Sequence, residues 1–404
     1  MPKFHIRQVK RIKNLVTVSA LTAIILVVST FAWFVGMRTV NVSSFDIEIA
    51  STVSLLLSLD GEKFEHTVTI SQATLNDVSY DGHTNSWGGR GLIPMSSVGE
   101  MDPESSRLVL YEKASFTATP GGYRIMSSRV NNYENGRPEQ EGYVAFDLFI
   151  KNFSGTKYIP ELNQKDEEAI YLTTDSEVSV AAGGVSNTGI ENSVRVAFGQ
   201  VGRVIGSSKD VELITGISCS PLSGSGVTGI CRPAQIWEPN DTEHTENAIN
   251  WYKASCFPRI DVDLTLKTSY NTQGTCGNVV NGTAYPTYAV SREISSEDEV
   301  DIYDGPAYNG YVPTAPTVSP LYAFPYFTDE HKLLTGTDRP TFMTLAPNSI
   351  TKVRIYVYIE GQDIDNYDFA SIGKKISVKF GFTKERFTED DFGYDGPPID
   401  PEEI

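Results

Sequence analysis

Near the C-terminal end of the chain, Val353, Ile355, Val357 and Ile359 take one set of alternate positions and Arg354, Tyr356, Tyr358 and Glu360 the other. A period of two belongs to the β-strand, whose successive side chains point to opposite faces. The pattern recurs in Phe45-Asp46-Ile47-Glu48-Ile49, in Val144, Phe146, Leu148 and Ile150, and in Val194, Val196 and Phe198. It returns in Val262, Leu264 and Leu266, and in Ile376, Val378, Phe380 and Phe382. Val53 to Leu59 is more continuously apolar and closes on Asp60-Gly61, a hairpin-type turn. Strands with one apolar face need a second sheet to cover it. The pattern therefore predicts an all-β fold, a two-sheet, jelly-roll-like sandwich with long loops. Helical signals are few, confined to Glu246–Lys253 and Asp166–Leu172.

Ahead of the strands, residues 1–14 are basic, and Leu15 to Met37 contains no charged residue. About 20 apolar residues span a bilayer core. Leu15, Ile24, Ile25 and Leu26 would lie in the hydrocarbon, with Trp33 and Phe34 near the outer interface. Residues 15–37 thus read as a transmembrane anchor or a signal helix. The basic flank stays in the cytoplasm, which sends everything after Arg38 outward. Length favours a retained anchor, because a signal core usually holds 7–15 apolar residues, while Thr30-Phe31-Ala32 offers small residues for a signal peptidase. Residues 38–383 form the predicted ectodomain, and residues 384–404 an acidic tail.

Net charge is −18, although the first 38 residues carry six basic side chains and no acid. The ectodomain is therefore strongly acidic, which disfavours nucleic acid as a partner. Four cysteines, Cys219, Cys231, Cys256 and Cys276, fall within or beside a polar insertion at about 205–280. Even and clustered in an exported chain, they predict two disulfides, with three pairings open. None of their spacings is a CxxC, so zinc is disfavoured. The five histidines are scattered without HExxH spacing, and the chain has no GxSxG elbow, no P-loop and no strand-linked GxGxxG. The reading is of a non-enzyme without a cofactor. Calcium is the one ion with a candidate place, at Asp298, Glu299, Asp301 and Asp304, where acids crowd a single loop. Loop tyrosines, among them Tyr303, Tyr308, Tyr311, Tyr322 and Tyr326, are candidates for stacking on sugars or partner proteins.

The segments VVSTFAWFVG, YVAFDLFIKN, ENSVRVAFG and LAPNSITKVRIYVYIEGQDID resemble the TasA/camelysin-like surface and biofilm-matrix proteins of Gram-positive bacteria. The AWF end of the apolar run and the strand closing on Glu360-Gly361-Gln362-Asp363 are its most specific parts, and the cysteine-bearing middle lies outside it. The resemblance implies a jelly-roll ectodomain on the cell surface and a fibre, matrix or surface-layer subunit that self-associates. It also implies that a strand near the mature N-terminus completes the sheet of the next subunit. The matching stretch is Thr39 to Ile49, with Thr39, Val40, Val42, Phe45, Ile47 and Ile49 as the candidate donor residues. The rival expectation is a membrane-anchored adhesin or carbohydrate-binding module that engages a glycan or protein ligand through the loops at 218–245 and 304–341.

Overall fold

The computed structural model describes residues 42–52, 54–88, 91–119, 122–134, 137, 139–250, 280–284, 288–293, 321–366 and 374–392. Eleven strands frame the molecule: β1 (Val42–Ser51), β2 (Leu55–Ser58), β3 (Thr67–Ile70), β4 (Val144–Asn152), β5 (Glu168–Leu172), β6 (Glu177–Val180), β7 (Val194–Ile205), β8 (Gln235–Glu238), β9 (Met343–Leu345), β10 (Ser349–Glu360) and β11 (Lys374–Thr383). The fold is mostly β, as the alternation predicts, and its helices are short. Each long alternating run within the described residues forms a strand.

The first sheet has the order β9-β5-β11-β1-β3, with β6 also paired to β11. The second is built on three long antiparallel strands. β10 is flanked by β4, in register from Val144↔Val357 to Asn152↔Ser349, and by β7, from Val194↔Ile359 to Ile205↔Ser349. β8 pairs with β7, and β2 with β4. The sheets meet face to face through aromatic rings. Phe198 of β7 packs edge-on against Phe380 and Phe382 of β11, with centroids 5.1 and 5.9 Å away, and against Phe342 at 4.9 Å. Such offset, edge-to-face contacts suit the ring quadrupoles.

The turn after β2 forms where Asp60-Gly61 predicts it. Asp60 Oδ1 accepts from the amides of Glu62 and Lys63, at 2.8 and 2.9 Å, and Gly61 adopts φ +73°. That left-handed backbone suits a residue without Cβ.

Two sequence expectations need correction. Strands with a single buried face imply that Arg354, Tyr356, Tyr358 and Glu360 meet solvent, yet all twelve residues of β10 are buried. The outer face of the second sheet carries its own core. Tyr143 just before β4, Ala145 and Phe149 of β4, and Tyr356 and Tyr358 of β10 pack there with Met101, Leu108, Leu110, Val130, Ile214, Ile217 and Tyr326. The long loops thus form a third layer, and they cover polar as well as apolar positions. Secondly, Asp166–Leu172 is not helical. Gln164–Asp166 makes a single 3-10 turn, and Glu168–Leu172 is a strand pairing Glu168↔Leu345 and Ile170↔Met343. Sheet pairing overrides the local helical preference of its glutamates and alanine.

One of the expected disulfides lies in the third layer. Cys219 and Cys231 are bonded, with Cα atoms 4.8 Å apart, and both pack against the outer core. Cys256 and Cys276 lie outside the described residues. At the start of the segment read as an acidic tail, Lys384 reaches Glu168 Oε2 at 2.7 Å, and Arg339 donates to the carbonyls of Glu385 and Arg386.

Candidate functional site

Three features of the chain's organisation bear on function: the seat of β1, an ion-paired rail on β10, and the turn that follows β10.

β1 is the first described element, and it lies inside a sheet. It runs parallel to the last strand, with Phe45↔Ile376, Ile47↔Val378, Ile49↔Phe380 and Ser51↔Phe382. On its other side it pairs antiparallel with β3, Ile47↔Ile70 and Ile49↔Val68. Ile47 and Ile49 are buried and Glu48 between them is exposed, so the alternation read from the sequence points its apolar set inward. The backbones of Val42 and Phe45 belong to the strand; Thr39 and Val40 lie outside the described residues. β3 has only four residues, so one flank of β1 is lightly held.

The rail runs along the outer face of the second sheet. Asp147 of β4 stands opposite Arg354 of β10. Its Oδ1 accepts from Arg354 Nε at 2.7 Å, while Oδ2 accepts from the Tyr80 hydroxyl at 2.7 Å and lies 3.2 Å from Lys352 Nζ. Burial pushes the Asp147 carboxyl up, but Arg354 and Lys352 outweigh it and hold the group well below the usual carboxylate range. Burial brings Lys352 down to about 8 despite the aspartate. Further along, Glu139 accepts from the hydroxyls of Tyr143 and Tyr356 and lies 3.6 Å from Arg107 Nε. Its pKa is raised, chiefly by burial.

The turn after β10 is the Glu360-Gly361-Gln362-Asp363 segment. Glu360 is fully buried and accepts from the Gln362 amide at 3.0 Å. Burial pushes its carboxyl up to about 8, only partly offset by Arg195. Arg195 of β7, also fully buried, donates to Glu238 at 2.5 Å and to Asp363 at 2.6 Å. Asp363 Oδ1 in turn accepts the Asp365 amide at 2.8 Å. Asp365 Oδ2 lies 2.8 Å from His244 Nδ1, and His244 Nε2 lies 3.1 Å from the Thr283 carbonyl. An imidazole facing two acceptors donates to both only when doubly protonated. Burial opposes that charge, but Asp365 prevails and raises the His244 pKa. Asp365 itself is pushed up to about 6, by burial first and by Asp363 next. The turn is therefore tied to β7, β8 and the segment around His244, and its charged groups are engaged by neighbours.

The sequence pointed to other places for chemistry. Asp298, Glu299, Asp301 and Asp304 lie outside the described residues, as do Leu15, Ile24, Ile25, Leu26, Trp33 and Phe34. Among the described residues, no group of three or more His, Cys, Asp or Glu side chains is placed to hold a metal ion, and no helix is long and apolar enough to cross a membrane. Of the candidate stacking tyrosines, Tyr322 is exposed, whereas Tyr326 is buried against the outer core with Arg195 5.2 Å from its ring centroid. The rail and the His244 cluster were not anticipated. One signal did announce the rail: Asp147 interrupts the otherwise apolar run from Val144 to Ile150, and a buried acid there needs a cation opposite.

Comparison of the chain with known protein families, with curated proteins and with solved structures finds no match.

Proposed function

We propose that the chain is a structural protein displayed outside a bacterial cell, a subunit of a fibre, matrix or surface layer, and that it assembles by exchange of β1 between copies. In this reading residues 15–37 form the N-terminal helix that delivers or anchors it, and the ectodomain is jelly-roll-like in topology. The observation carrying the proposal is the seat of β1. It is the strand next to the N-terminal apolar segment, yet it occupies an interior slot between the C-terminal strand and a four-residue edge strand. A strand held there by backbone ladders and a pair of buried isoleucines in the described part can be replaced by the same strand of another copy with little change in contacts. The acidic body suits solubility at high local concentration.

Removal of residues 39–49 from the ectodomain should abolish filaments or lattices in electron micrographs. Assemblies undiminished by the deletion would refute strand exchange.

A further inference from the structure

An open cleft of about 670 Å³ lies beside His244. That size falls within the range of small-molecule sites, roughly 300–1,000 Å³. Its walls come from β6, the turn at Ile190–Ser193, and the segment around His244.

The lining has a distinctive chemistry. Five asparagines line it, Asn187, Asn192, Asn240, Asn247 and Asn281, of which Asn240 Nδ2 and Asn281 Oδ1 are engaged within the walls. Each carboxamide offers two donor hydrogens and an acceptor oxygen, the complement of vicinal hydroxyl groups, which also donate and accept. Glu191, Glu243 and Glu246 add acceptors, and no lysine or arginine is among the described lining residues. Three glutamates against the single His244 disfavour an anionic ligand there. Val180 of β6, half-buried, supplies a small apolar contact, whereas Val178 is buried. A sugar ring presents that combination: hydroxyls at its rim and a C–H face.

The cleft is also held in shape. Asn240 Nδ2 donates to the Val178 carbonyl at 2.9 Å, fixing one wall to another. Asn281 Oδ1 accepts from the His244 amide at 2.9 Å, and the Gly282 amide donates to the Thr242 carbonyl at 2.7 Å. With the His244 ring bridging Asp365 and Thr283, these bonds fasten the Asn281 wall to the 240–247 wall. Walls ordered in advance lower the cost of ordering them around a ligand.

We propose that this cleft is a binding site for a neutral saccharide one or two rings in size. The site does not depend on strand exchange, and it is distinct from the loop tyrosines.

The test uses the full chain in detergent, titrated calorimetrically with a panel of neutral mono- and disaccharides, and with spermidine and calcium chloride as cationic probes. Asn187→Gly/Asn247→Ala and Glu243→Gln/Glu246→Gln alter exposed side chains, with glycine at 187 because the backbone there is left-handed, φ +58°. Both variants should therefore unfold thermally like the parent. At least one saccharide should bind, the asparagine variant should weaken it by about tenfold or more, and the glutamine variant by less than about threefold. Three results would overturn the proposal: no saccharide in the panel binding, saccharide affinity unchanged in the asparagine variant, or binding of spermidine or calcium alone.

Discussion

Glu360 is a carboxyl group held against its ordinary titration. Its pKa in the folded chain is pushed up to about 8 from 4.5. A raised carboxyl binds its proton more tightly when folded, so its contribution is fully present below pH 4.5 and is lost as the pH rises towards 8. Glutamine resembles the protonated acid and keeps an oxygen for the Gln362 amide. Glu360→Gln should therefore match the parent near pH 5 and exceed it in stability by pH 9, by on the order of 3–5 kcal/mol in urea unfolding. Equal pH dependence in the two proteins would show that Glu360 does not carry the effect. Asp147 has the opposite sign. Its depressed carboxyl stabilises the fold above pH 3.8 and loses that contribution as acid approaches its folded pKa. Asp147→Ala would leave Arg354 and Lys352 buried without a counter-charge. We expect a loss of about 3–5 kcal/mol at pH 7, measured the same way. A loss below about 1 kcal/mol would mean that water reaches the cations.

At the scale of single elements, β7 carries a bulge, with the register against β10 slipping between Gln200 and Gly202. The outer layer presses on that bulge. A Cβ added at Gly202 would come within 2.7 Å of Ile217 Cγ2 and 2.9 Å of the Thr228 carbonyl oxygen. Neither a packed branched side chain nor a backbone oxygen gives way easily. Gly202→Ala should lower stability by about 1–3 kcal/mol, seen as a fall in the thermal midpoint; an unchanged midpoint would show that the 206–234 segment shifts freely. The strands themselves were legible because half-buried strands write their period into the sequence, as at Ile376–Phe382. β5 was not, because Asp-Glu-Glu-Ala reads as helix until Met343–Leu345 pairs with it. The third layer was not legible either. It is made of irregular segments brought from distant parts of the chain, and irregular backbone has no period to read. His244 was invisible for the same reason, since Asp365 and Thr283 come to it from remote positions.

For the whole molecule, the two sheets are unequal in how the chain closes them. The second is assembled around β4, β7 and β10 by long antiparallel ladders. The first cannot be completed until β11 is present, because β1 is paired along its length to that strand. Refolding should therefore depend on concentration. Denatured chain lacking residues 1–38, diluted to low concentration, should return as monomer, and at high concentration a fraction should return as linked copies, resolved by size-exclusion chromatography with light scattering. Identical elution profiles at every concentration would argue that β1 always finds its own sheet.

The parallel pairing of β1 with β11 also sets a timetable for a chain made from its N-terminus. Val42–Ser51 is made well before its partner Lys374–Thr383. At about 5–20 residues per second, the interval amounts to tens of seconds. Throughout it, an apolar strand waits without its ladder beside whatever other copies are being made nearby. Crowding where the chains are made thus helps decide whether a molecule closes on itself or on its neighbour.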